Sequence, residues 1–269
     1  MRPKYQFKVP IFAECISPDV FLGKSFEEIA KLKVFEGNRQ RSLDEIFDVN
    51  KIAKNCNDKI IINLSGDFRK VRMIGYRMTS GMIVVEGDVG MRLGECMEGG
   101  EIFVKGNADS WVGSMMKGGK IEVLGSAGDY VGASYRGSTK GMANGTILIH
   151  KDAGNEVGCC MKGGLINVEG NVGEFAGVHM KDGTIIVRKN CSGRPGAGML
   201  DGKIIICGQL PSVLPTFTID CVKSDVKINE EKIVGPFYRF IGDIVENGKG
   251  KLFVAKSKNP HLAAYERYL

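Results

Sequence analysis

The chain has 269 residues, enough for one large domain or for a domain with arms. Its 43% hydrophobic and 25% charged residues are ordinary for a soluble globular protein, and the net charge of +6 is modest. No Lys/Arg run with interleaved aromatics is present, so nucleic acid is not an expected partner. The start, Met1-Arg2-Pro3-Lys4, leads into no long apolar run. Neither a secretory signal nor a membrane span is expected, and a cytoplasmic location follows.

Residues 1–56 read as an N-terminal arm. Pro10 and Pro18 favour an irregular opening with short strands. Ser25-Phe26-Glu27-Glu28 and Ser42-Leu43-Asp44-Glu45 each match a capping box and predict two short helices. Ile60 to Leu64, followed by Gly66, resembles half of the repeat that comes next. It predicts a degenerate first coil that blunts an open end.

From residue 78 to 207 one unit recurs seven times. Methionines stand at 78, 97, 116, 142, 161, 180 and 199, a step of 19 residues broken once by a step of 26. Each Met is followed by Gly at offset three, Ile at offset five and Val or Ile at offset seven. The first six copies also carry Gly at offset sixteen. Alternation at offsets five and seven is the period of a strand with those side chains on one face. Small apolar residues recur at offset eleven (Val89, Ala108, Ala127, Ala153, Val172, Cys191), so the chain turns inward between glycine corners. Nothing in the unit has the 3.6 period of a helix.

One unit cannot bury its own apolar side, whereas stacked copies can. The expected fold class is therefore mainly β: a right-handed single-stranded parallel β-helix of about seven 19-residue coils over residues 57–210, with small N- and C-terminal arms. The pairs at offsets nine and ten, such as Gly87-Asp88, Gly106-Asn107 and Gly170-Asn171, predict a stacked ladder of turns. Their carboxylates are too sparse for a calcium site.

The 26-residue step adds seven residues, 135–141, beginning Tyr135-Arg136. Insertions in solenoids emerge as loops on one face and often meet a partner. After Pro211 and Pro215, residues 211–269 form a C-terminal arm. It alternates at Thr216-Phe217-Thr218-Ile219, passes through Leu252-Phe253-Val254 and ends in a predicted helix over 260–269.

Chemistry is sparse. Eight cysteines (15, 56, 96, 159, 160, 191, 207 and 221) include no Cys-x-x-Cys, and they read as reduced core thiols. The histidines, His150, His179 and His261, show no ligand spacing and no paired nucleophile. No phosphate-binding glycine motif precedes a helix. No catalytic, cofactor-binding or metal residue is assigned.

The informative column is offset six, which points outward when five and seven point in. It reads Val84, Phe103, Glu122, Leu148, Asn167, Ile186, Ile205. Five of these seven are apolar, and an apolar stripe outside a rod must be covered, by this chain's own arms or by another subunit. The candidate partner interface is Val84, Phe103, Leu148, Ile186 and Ile205, with Tyr135 and Arg136 of the insertion. A different class, a stand-alone β-helix carbohydrate-active enzyme, would need surface carboxylates such as Glu86 or Glu169.

The Met-Lys-Gly-Gly-x-Ile-x-Val-x-Gly units resemble a glycine-rich β-helix shared by two groups. One is the C-terminal domain of the large glutamate synthase subunit; the other is the C subunit of formylmethanofuran dehydrogenase. Similarity to the second extends to the insertion from Tyr135-Arg136-Gly137 to Lys140-Gly141-Met142 and to Gly177-Val178-His179-Met180. It also covers Gly235-Pro236-Phe237-Tyr238-Arg239-Phe240 and Lys258-Asn259-Pro260-His261-Leu262. The resemblance implies a non-catalytic scaffold in an oxidoreductase complex that reduces CO2 and fixes it on methanofuran at the start of methanogenesis. It places a tungsten or molybdenum pterin, iron–sulfur clusters and a dinuclear metal site in partners: formate dehydrogenase-like, iron–sulfur and amidohydrolase-like subunits. The nearest alternative is the C subunit of a formyltransferase/hydrolase complex of one-carbon metabolism.

Overall fold

In a computed structural model, residues 1–50, 60–228 and 231–269 are described. Cys56 and the expected arm boundary beside it lie outside the described residues. The N-terminal segment holds β1 (Arg2–Pro3), β2 (Ile11–Phe12), α1 (Pro18–Phe21), α2 (Phe26–Ala30), β3 (Lys33–Glu36), β4 (Arg39–Ser42), α3 (Leu43–Ile46) and β5 (Phe47–Asp48). Both expected helices form. The Ser25 hydroxyl accepts from the Glu28 N–H, and the Glu28 carboxylate accepts from the Ser25 N–H at 2.7 Å. β2 pairs antiparallel with β3 and parallel with β7 (Val71–Arg72), so this segment is stitched to the first coils. Phe47 stacks on Phe68 with ring centroids 5.6 Å apart and closes the core at that end.

The body is one stack of parallel rungs: β6 (Ile61–Leu64), β8 (Met82–Val85), β9 (Glu101–Val104), β10 (Lys120–Val123), β11 (Thr146–Ile149), β12 (Lys162–Val168), β14 (Asp182–Val187) and β16 (Lys203–Ile206). Register is strict. Ile62, Ile83, Ile102, Ile121, Ile147, Ile166, Ile185 and Ile204 all stack on one another. The Met column and the columns at offsets five and seven are essentially inaccessible to water. The first coil predicted from Ile60 to Leu64 is β6, in register. The segments β13 (Val172–Glu174) and β15 (Cys191–Gly193), with single bridges such as Val89 to Ala108, make a second parallel ladder at offset eleven.

Corners are held from coil to coil by two devices. The first is the predicted turn ladder. Asp88 Oδ1 accepts from the Asn107 N–H at 2.7 Å and Asn107 Oδ1 from the Ser126 N–H at 2.9 Å. Asp152, Asn171 and Asn190 repeat this down to Gln209. The second is a left-handed residue at offset fourteen, whose N–H donates to a carbonyl of the next coil. Trp111 bonds Asp129 at 2.9 Å, Tyr130 bonds Asn155 and Glu156 bonds Glu174 at 2.8 Å. Each of these corner amides is thus satisfied by the neighbouring coil.

The tail does more than cap. β17 (Thr218–Ile228) and β18 (Glu231–Gly242) form an antiparallel ribbon, and the chain then returns as β19 (Gly250–Ala255). β19 lies parallel to β16, with Leu252 on Ile204 and Val254 on Ile206, and is the ninth rung of the stack. Eight steps between nine rungs make a rod about 38 Å long at ~4.8 Å per step. The final segment, Pro260–Tyr268, is a 3-10 helix. The buried Asn259 locks it in place: its side-chain amide donates to Gly208 and Ala255 carbonyls at 2.9 and 2.8 Å, and its oxygen accepts from the Leu210 N–H.

Gly132 sits at φ +67°, and a Cβ there would come within 2.5 Å of Ile166 Cδ1. Gly137, in the insertion, has φ +77° and open space around it. Gly132→Ala should therefore destabilise the chain by about 2–4 kcal/mol, backbone strain plus overpacking, whereas Gly137→Ala should cost about 1–2. Urea denaturation of the two variants checks the difference.

Candidate functional site

The offset-six stripe runs straight down the outside of the stack, and the structure divides it. Ile186 and Ile205 are fully buried, packed with Val226, Ile228, Ile233, Phe237 and Phe253. The ribbon β17–β18 is longer than β19, and two irregularities in its pairing let it curl back over this face. An ion pair from Arg188 to Glu231 at 2.6 Å pins it there. The expectation that Ile186 and Ile205 face another subunit is therefore corrected: this chain's own C-terminal ribbon covers them. Val84, Phe103 and Leu148, farther up the same column, lie outside that packing and are half-buried.

Between Phe103 and Leu148 the column is interrupted by Glu122. Its carboxylate binds Lys120 at 2.7 Å and His150 at 2.9 Å, and these bonds hold it below the usual carboxylate range. Lys105 and Glu86 pair at 2.7 Å beside it. The open half is thus three apolar side chains among ion pairs, the make-up of an interface core within a polar rim. It offers no paired acid chemistry. Glu86 and Glu169 lie four rungs apart, about 19 Å at strand spacing, beyond the roughly 5–9.5 Å at which two carboxylates cooperate on a glycosidic bond.

Tyr135 and Arg136 do not extend freely into solvent. The insertion folds back on the corner. Tyr135 meets Trp111 edge-on at 5.7 Å and carries the Arg92 guanidinium over its ring at 4.4 Å. Arg136 lies over Trp111 at 5.6 Å and is exposed. Arg92 in turn forms an ion pair with the buried Glu95. The insertion is thereby a fixed feature of the surface, beside a shallow cleft of about 190 Å³ that also involves Tyr130, Ser134 and Glu156.

Sequence reasoning missed the column that organises this corner. Offset fourteen reads Arg92, Trp111, Tyr130, Glu156, Phe175, Arg194, every one in a left-handed conformation. Trp111 and Tyr130 stack face to face at 4.5 Å, and Arg194 lies over Phe175 at 5.2 Å. The Glu156 carboxylate beside Tyr130 pushes its phenol above the usual range. The signal was present: large residues at one fixed offset of a glycine-rich repeat.

Among the described residues no group of three or more His, Cys, Asp or Glu is placed to hold a metal ion. Burial pushes the Cys15 and Cys159 thiols up to about 12 and Cys191 to about 11, so they stay protonated and are poor ligands and nucleophiles. Cys159 and Cys160 sit with sulfurs 3.8 Å apart. His179 is a corner residue at φ +53°. Among the described residues no helix is long and apolar enough to cross a membrane.

Fold and surface together define a glycine-cornered β-solenoid with a partly open apolar face. No protein-family model matches the chain. Over 266 residues it is 49% identical to the C subunit of the tungsten-containing formylmethanofuran dehydrogenase 2 of Methanococcus maripaludis, covering 96% of this chain and 97% of that one. The corresponding protein of Methanothermobacter thermautotrophicus is 46% identical over 263 residues, 97% of each. Among solved structures, a chain of the formyltransferase/hydrolase complex from Methylorubrum extorquens, determined with methylofuran, superposes with a TM-score of 0.80 at 28% identity. That match covers 94% of this chain and 98% of the other. The chain belongs to the family of formylmethanofuran dehydrogenase C subunits.

The division of the stripe has a direct consequence. Ile205→Asp places a carboxylate in the apolar contact under the ribbon and should destabilise the isolated chain by several kcal/mol. Phe103→Asp should change it by about 1 kcal/mol or less. Thermal and urea unfolding of the two variants, side by side, tests this.

Proposed function

We propose that this chain is the rigid bracket of a formylmethanofuran dehydrogenase, holding catalytic subunits in register along a rod of about 38 Å, eight strand spacings. The observation that carries the reading is the column of Val84, Phe103 and Leu148. It continues the stripe that the chain's own ribbon covers at Ile186 and Ile205, and its three side chains lie outside that packing, half-buried. Near full-length identity with the C subunits of tungsten-containing dehydrogenases supports the assignment of the complex. The 49% and 46% identities to dehydrogenase subunits favour that complex over the formyltransferase/hydrolase assembly, which matches at 28%.

In this reading the reduction of CO2 and its fixation on methanofuran take place on partner subunits. Those partners hold the tungsten or molybdenum pterin, the iron–sulfur clusters and the dinuclear metal site. Among the described residues the donor set does not fit such groups: no three His, Cys, Asp or Glu converge, and burial keeps the Cys15 and Cys191 thiols protonated. The complex works in the cytoplasm. Val84, Phe103 and Leu148 meet one partner, and the insertion at Tyr135 and Arg136 meets a partner at the adjoining corner.

Native mass spectrometry of the tagged chain, recovered from its own cells, tests the assignment. The expected result is a large assembly containing tungsten or molybdenum. A lone monomer would refute it. Phe103→Asp should weaken assembly about 100-fold or more, as for a central anchor, while the free chain stays folded.

A further inference from the structure

The offset-fourteen corner brings rings and cations together along one edge. From one end the column reads Arg92, Trp111, Tyr130, Glu156, Phe175, Arg194. Three guanidinium groups already lie over rings along it: Arg92 on Tyr135, Arg136 on Trp111 and Arg194 on Phe175. Between Tyr130 and Phe175 the intervening rung supplies a carboxylate, Glu156, and no ring. The backbone fixes the spacing: the Tyr130 N–H bonds the Asn155 carbonyl and the Glu156 N–H bonds the Glu174 carbonyl, each at 2.8 Å, so the three residues occupy successive coils.

Two rungs separate the Tyr130 and Phe175 backbone positions by about 9.5 Å. A flat group touching two rings needs roughly 7–8 Å between them, which that spacing accommodates. An open bay of about 490 Å³ lies here, bordered by Tyr130, Glu156, Phe175, Asp129 and Glu174. Its charge is one-sided. Glu174 is engaged by Arg194 at 3.8 Å, and Asp129 accepts from the Asn155 N–H at 2.6 Å. Glu156 has no cation within ion-pairing distance among the described residues. Two rings flanking a carboxylate that faces the Tyr130 phenol and lacks a cation are surroundings in which a guanidinium gains both stacking and a charge-assisted bond.

We propose that this bay receives an arginine side chain from a partner subunit. The guanidinium enters between Tyr130 and Phe175 and pairs with Glu156, repeating the cation–ring contacts that the chain makes for itself at Tyr135, Trp111 and Phe175. The proposal rests on the bracket reading above and adds the chemistry of the contact. It also makes this corner an interface separate from the Val84–Phe103–Leu148 face, so the bracket holds its partners by an apolar face and by an acidic, ring-walled corner.

The test uses the whole complex, reassembled from wild-type chain and from two variants, Glu156→Gln and Phe175→Leu. Each variant should lower assembly affinity by about tenfold while the free chain keeps its unfolding midpoint. If Phe175→Leu lowers that midpoint, Glu156→Gln decides. In parallel, p-benzoylphenylalanine installed at position 175 is photolysed in the assembled complex and the joined peptide is sequenced. An arginine at the joined site of a partner supports the proposal. Unchanged affinity for Glu156→Gln, a joined segment without arginine, or a join to a second copy of this chain overturns it and leaves the bracket reading intact. Failure of the wild-type chain to assemble at all overturns both.

Discussion

Each coil of this protein hides its apolar side chains only because another coil lies one strand spacing away. The inward Met, Ile and Val columns are buried by the coils above and below, and the corner amides are satisfied by the same neighbours. Burial and hydrogen bonding therefore share one geometric condition, the strict register of the stack. That condition explains why residues as different as Arg92, Trp111 and Glu156 all accept a left-handed backbone at offset fourteen. The corner must aim an N–H at the next coil, and the identity of the side chain is left free. It is also why this corner can carry large and varied side chains without disturbing the core. The inside of the rod is fixed by packing, while the left-handed corners present large side chains at regular heights.

Most of the fold was legible in the sequence because the repeat states it seven times. Offsets five, seven and eleven all point inward as read, and Asp88, Asn107 and Asn171 form the ladder their spacing implied. The ninth rung was not legible. Leu252-Phe253-Val254 alternates like any rung, but it follows 43 residues without a repeat, counted between β16 and β19, and short alternation cannot say which strand it joins. The same gap hid the fate of Ile186 and Ile205. Their outward direction was correct, yet only the curl of an irregular ribbon, a tertiary effect, shows what lies over them. The insertion was visible as a change of rhythm. Its folding onto Arg92 and Trp111 was not, because it depends on contacts across separate coils.

The surface is consequently divided by function more than by sequence position. The ribbon, the buried amide of Asn259 and the terminal 3-10 helix close one end and half of one face. The N-terminal strands and the Phe47–Phe68 stack close the other end. What remains open is a short apolar column with a charged rim and, apart from it, an aromatic edge. These two surfaces share a rigid spacing and differ in chemistry.

The reversal of direction at the end of the stack has one more effect. A bare parallel rung would present the same hydrogen-bonding edge that each coil presents to the next, and identical rods could then grow end on end into a fibre. Here the ninth rung is followed by an antiparallel strand, β18, and then by β17. The outermost edge no longer matches the pattern of any coil, so another copy finds no register on which to continue. The chain's returning tail thus sets a finite length on a repeat that has no intrinsic reason to stop.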